Sequence, residues 1–140
     1  MKQYPSRLKF KKYHKVNPSF LVLKEQKRFF PLRGLFGLKA LDSGKLTFKQ
    51  LEAGRRAIRR TTKKKGSISI NVFTNQSVTK KPVSSRMGKG KGSHSHWIGV
   101  VRKGQILYEL SGVGSRVCLK ALSYAGHKMP VRTKIVKLIY

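Results

Sequence analysis

Four carboxylates, Glu25, Asp42, Glu52 and Glu109, stand against 33 lysines and arginines in this chain of 140 residues, a formal net charge of +29. No other feature constrains the fold as much. So few acids leave most surface cations without an internal partner, and their mutual repulsion opposes compaction unless a dense polyanion compensates. With 39% apolar residues the chain can still bury one modest core, and it is too apolar to stay disordered throughout. The expected polyanion is RNA or DNA. An anionic membrane would call for a basic helix with a broad apolar face or a lipidation signal, and the sequence offers neither. No apolar run reaches the ~18 residues of a bilayer span, so no membrane span is expected.

The chemistry-bearing inventory is thin. The four carboxylates are scattered, with no adjacent pair for general acid–base or metal-assisted catalysis. The single cysteine, Cys118, excludes an internal disulfide framework and a cysteine-rich zinc site. It falls on the apolar face of an expected helix, where a core thiol is the simpler reading than a nucleophile. His14 and His127 lie far from His94 and His96, so no metal site and no cofactor is expected. A small basic nuclease working through His and Lys is the enzyme alternative, and no residue spacing supports it.

Residues 1–33 show no sustained period and read as an irregular basic arm with a local apolar patch, "FLVL"; residues 34–140 read as one α+β domain. An organelle presequence is the alternative reading of the N-terminus. Lysine outnumbers arginine there, and Pro5 and Pro18 interrupt any amphipathic helix. The first strong element is a helix over about Thr47 to Thr62, opened by Thr47 and Gln50 in capping-box spacing. Leu51, Gly54, Ala57, Ile58 and Thr61 fall on one side of it; Lys49, Glu52, Arg56, Arg59, Arg60 and Lys63 fall on the other. Glu52 precedes Arg56 by four residues, the favourable order for a pair. The basic run continues through "RRTTKKK", and no acidic face balances it.

"SISINVF" (67–73) alternates as a strand should, and "VTKKPV" is a short edge or connector because Pro82 cannot donate to a ladder. "HWIGVV" and "QILYEL" flank "RKGQ" as a β-hairpin would, with the turn near Gly104. A second helix is expected from about Ser115 to His127. It places Val117, Cys118, Ala121, Leu122, Tyr124 and Ala125 on one face and Arg116, Lys120, Ser123 and His127 opposite. Pro130 stops it, and "VRTKIVKLIY" reads as a last strand. The expected fold is α+β: two helices packed on a largely antiparallel sheet, an α/β sandwich with a basic N-terminal arm and a glycine-rich loop.

That loop, "SSRMGKGKGSHSHW" (84–97), carries Gly88, Gly90 and Gly92 between Arg86, Lys89 and Lys91. Its spacing matches neither the dinucleotide fingerprint nor the phosphate-binding loop of nucleotide triphosphatases, and no helix follows it. Cations interleaved with glycine suit an extended finger whose backbone lets phosphates approach closely. On a regular strand His94 and His96, two apart, would point to the same side. No zinc-finger, homeodomain or base-reading signature is present, so binding by phosphate contact and shape is expected.

The segment "RMGKGKG" (86–92) resembles the signature of the bacterial-type large-subunit ribosomal protein L-sixteen family. Five further blocks agree in order: "KFKKYHK" (9–15), "FGLKALDSGKLT" (36–47), "QLEAGRRAIRR" (50–60), "ILYELSGV" (106–113) and "KMPVRTKIV" (128–136). The resemblance implies a structural protein on large-subunit rRNA that helps shape the aminoacyl-tRNA site near the peptidyl-transferase centre, where the chemistry belongs to RNA. It implies that Lys9, Lys11, Lys12, His14 and Lys15 thread rRNA. Arg55, Arg56, Arg59, Arg60, Lys63, Lys64 and Lys65 would line an rRNA-facing helix and its exit. Arg86, Lys89 and Lys91 would ride a loop towards the tRNA. Two departures stand out. Residues 17–33 carry an apolar segment where the family has glycine and arginine, which makes them a candidate contact for a neighbouring ribosomal protein or a remodelled contact with rRNA. Gly54 replaces a common alanine and is expected to weaken the helix slightly. The Lys-, Phe- and Ile-rich composition points to an organelle member, mitochondrial in first place, with a plastid or the bacterial cytoplasm as alternatives. The rival to the ribosomal reading is a free RNA- or DNA-binding protein.

Overall fold

The computed structural model describes residues 5, 8–14, 31 and 34–137. Seven strands and two helices follow one another along the described chain: β1 (Phe36–Ala40), β2 (Gly44–Thr47), α1 (Phe48–Thr61), β3 (Ser67–Ile70), β4 (Gln76–Lys80), β5 (Ser93–Val101), β6 (Ile106–Ser111), α2 (Ser115–Gly126) and β7 (Thr133–Lys137). They form two antiparallel sheets, one ordered β3-β6-β1-β7 and the other β2-β5-β4. Both helices pack on each other; α2 lies against β1, β6 and β7, and α1 against β2 and β5. The expected α+β class holds, with two sheets where one was expected.

The second sheet corrects the expected hairpin. A turn does form at Arg102–Gln105, closed by Gln105 N donating to Arg102 O at 3.1 Å, with Gly104 at φ +88°. Yet β5 pairs with β2 and β4, while β6 pairs with β1 and β3. The turn therefore carries the chain from one sheet to the other. Residues 41–43 make the same crossing between β1 and β2, two strands too short for their alternation to be legible in sequence. The two crossings are tied together: Ala40 N donates to Gln105 O at 2.9 Å, Gly104 N to Ala40 O at 2.7 Å, and Lys103 N to Ser43 Oγ at 3.0 Å. Asp42 adds a two-pronged pair with Arg132, at 2.8 and 3.1 Å, that holds this corner to the approach of β7.

The core joins both sheets to both helices through Leu38, Leu46, Leu51, Ile58, Val101 and Leu110, with Cys118 and Leu122 from α2. On α2 the expected apolar face is narrower than its sequence suggests. Cys118, Ala121, Leu122 and Ala125 are buried, whereas Val117 and Tyr124 are exposed at 39% and 46%. Cys118 is a core thiol: its Sγ donates to Val113 O at 3.3 Å, and burial pushes its pKa up. Gly54 has a packing reason that its helix propensity does not show. A Cβ there would sit 2.6 Å from Tyr108 Oη, and that hydroxyl donates to Leu51 O at 2.7 Å. The glycine lets the buried tyrosine reach the helix backbone, a contact 57 residues apart in sequence. Among the described residues no helix is long and apolar enough to cross a membrane.

Candidate nucleic-acid interface

The basic helix begins as its sequence dictates. Thr47 N donates to Gln50 Oε1 at 2.9 Å and Gln50 N to Thr47 Oγ1 at 3.3 Å, a reciprocal capping box that fixes where α1 starts. With Leu51, Gly54 and Ile58 buried, the arginine side must face outward. Glu52 accepts from Arg55 at 2.9 and 2.6 Å and from Arg56 at 3.2 Å. The Arg55 hydrogen bonds, the largest influence, help bring the Glu52 carboxyl down to about 2 in spite of its partial burial. The i,i+4 pair with Arg56 was legible from spacing; the stronger pair with Arg55 was not. Arg55 is thereby half-committed, while Arg56 keeps 75% of its side chain exposed.

Beyond Glu52, the ion pairs of this face stop among the described residues. Arg59 turns its Nη1 onto Lys64 O at 3.0 Å, and Arg60 is exposed. Lys63 and Lys64 follow in the left-handed region at φ +51° and +66°, a conformation that costs non-glycine residues energy and that often marks functional sites. The result is a tight exit from α1 with Lys63, Lys64 and Lys65 all exposed, at the helix end whose dipole favours cations. A groove of about 500 Å³ lies between α1 and β3, lined by Phe48, Glu52 and the three arginines Arg55, Arg56 and Arg59 on the helix and by Ile68 and Ile70 on the strand.

The arm and the glycine-rich loop form a second basic group. Lys9, Lys11, Lys12 and His14 are exposed; Lys15 and residues 17–30 lie outside the described residues. Lys12 Nζ donates to Lys91 O at 3.1 Å, and Lys91 Nζ donates back to Tyr13 O. Lys81 Nζ donates to Gly88 O, across the base of the loop. Gly88, Lys89 and Gly90 adopt φ of +96°, +51° and +81° in succession, so the glycines here answer a backbone requirement. Gly92 answers another, because a Cβ there would lie 2.7 Å from the Lys80 carbonyl. The loop is thus an anchored finger with Arg86, Lys89 and Lys91 exposed along it.

The histidines behave differently from a regular strand. Opposite β4, Val78 pairs with His96 and Thr79 with His94, so Ser95 is an extra residue in β5. Such a bulge resets the alternation of side chains. His94 tilts against Trp97 with ring centroids 4.6 Å apart, and its Nε2 is covered, while His96 is exposed. With Phe48 and Lys49 these rings line a hollow of about 490 Å³ beside the first turn of α1. Sequence reasoning missed this feature; the lone Trp97 beside two histidines was its only sign.

Comparison with known proteins shows that this is a ribosomal protein. The family model described as Ribosomal protein L16p/L10e matches residues 5–136, and the chain belongs to that family. It is 40% identical over 133 residues to the large ribosomal subunit protein uL16c of Stigeoclonium helveticum, covering 95% of this chain and 96% of that one. The chain is accordingly a structural constituent of the large ribosomal subunit.

Proposed function

We propose that this protein binds large-subunit rRNA through the arginine face of α1 and its lysine exit, and through the arm, Lys9 to Lys15. The glycine-rich loop, with Arg86, Lys89 and Lys91, reaches towards tRNA at the aminoacyl site. The role is structural: the cations neutralise and position RNA, and residues 1–33 serve as an arm to the domain of residues 34–140. The observation that carries this reading is the α1 face. Its one acid is taken up by Arg55 and Arg56, which leaves Arg59, Arg60 and Lys63 to Lys65 without a carboxylate partner among the described residues. An uncompensated stripe of that length is what counterion release from a polyanion rewards.

The test is the salt dependence of binding to an rRNA fragment. Arg56→Ala and Arg59→Ala should each lower the slope of log K against log salt by about one unit. Arg55→Ala should lower it less, because its guanidinium makes two hydrogen bonds to Glu52 and is half as exposed as that of Arg56, which makes one. Unchanged slopes in all three would remove this face from the interface. The compartment we assign is the mitochondrion, on composition. Sedimentation of fractionated organelles would find the protein on mitochondrial large subunits after a high-salt wash; recovery with plastid or cytoplasmic subunits would reassign it.

A further inference from the structure

We infer that the hollow beside α1 holds an unpaired nucleobase of the RNA, stacked on the rings of Phe48 and Trp97. This rests on the RNA-binding reading and adds a base contact to a surface otherwise built for phosphate. Three observations lead there. First, the walls are aromatic and pre-positioned: the Ser95 bulge turns His94 onto Trp97 at 4.6 Å, so the indole is braced before any ligand arrives. Second, among the described residues no carboxylate lines the hollow and the exposed Lys49 does, which favours a ligand that brings negative charge with it. Third, Phe48 lines this hollow and also the groove of Arg55, Arg56 and Arg59. A base seated on Phe48 therefore has its own backbone leading directly onto the arginines.

Aromatic side chains beside a basic track are how single-stranded nucleic acid is held, because every base offers a face to stack. A volume of about 490 Å³ accepts a base with its ribose. A duplex would not fit the role, since its bases are already stacked on one another. The occupant is thus a nucleotide from a bulge, loop or strand end of the RNA.

Trp97 is the chain's only tryptophan, which makes it a reporter on the site itself. The full-length protein would be titrated with a single-stranded RNA of about eight nucleotides, within the usual site size of such binders. A second oligomer of equal length and charge would carry abasic sugars. Binding is followed by anisotropy of an end label and stacking by Trp97 emission. Both oligomers should bind, and only the base-bearing one should quench Trp97. Phe48→Leu should weaken binding of the base-bearing RNA roughly tenfold and leave the abasic oligomer unaffected, and Phe48→Tyr should restore it. Equal affinity for both oligomers without quenching overturns the base pocket and leaves phosphate binding standing. Failure of both oligomers to bind overturns the RNA-binding reading together with it.

Discussion

Gly54 offers the sharpest test of how α1 is held over the core. On an isolated helix Gly54→Ala should stabilise by roughly 1 kcal/mol. Here the new methyl would lie 2.6 Å from Tyr108 Oη, 2.8 Å from Met129 Cε and 3.1 Å from Tyr108 Cζ. Met129 can swing its terminal methyl away at little cost. Tyr108 cannot, because it is fully buried and its hydroxyl is committed to Leu51 O at 2.7 Å. Overpacking of a filled core costs about 1–3 kcal/mol, and disturbing a buried hydrogen bond costs a comparable amount. Set against the propensity gain, the net effect should be a loss of about 2 kcal/mol. Tyr108→Phe alone should cost about 1 kcal/mol. In the double variant the offending oxygen is gone and the ring carbon remains, so the penalty is partly relieved. The two changes should couple by ~1 kcal/mol or more. Urea unfolding followed by far-ultraviolet circular dichroism measures all four corners of the cycle. A stabilised Gly54→Ala, or strictly additive effects, would refute the packing argument and leave only helix propensity.

The Glu52 carboxyl, held at about 2 against an ordinary 4.5, contributes stability above pH 4.5 that disappears as pH falls towards 2. Glu52→Gln should flatten the acid limb of a stability–pH curve in that window; an identical limb would show that the Arg55 and Arg56 contacts add nothing. Gly92→Ala should loosen the loop more than Gly90→Ala. The first drives a Cβ to 2.7 Å from the Lys80 carbonyl, and the second meets open space and only the φ of +81°. Hydrogen exchange over residues 81–92 reports the order, and equal exchange in both variants would contradict it.

Local signals were legible in the sequence and long-range ones were not. Thr47 and Gln50 announced the start of α1 because a capping box is a three-residue interaction. The arginine face was legible for the same reason, since helical spacing and the shortage of acids both sit in the sequence. Strand pairing is different. The turn at Gly104 was visible, but the choice between folding β6 back on β5 and crossing to the other sheet depends on β1, more than 60 residues earlier in the chain. The Ser95 bulge likewise depends on β4, so the placement of His94 and Trp97 could not be foreseen from alternation. The clasp between Lys12 and Lys91 spans 79 residues, and no period carries that information. Gly54 shows the limit most plainly: helix propensity sees a weak residue, and only the buried Tyr108 beneath it explains why it is there.

The most direct test of the whole account is ultraviolet crosslinking within purified large subunits, with the linked peptides of this protein read by mass spectrometry. RNA adducts are expected on peptides carrying Arg56 to Lys65 and on the loop from Arg86 to Lys91. Adducts confined to the exposed side of α2, at Arg116 and Lys120, with none on α1 or the loop, would contradict it.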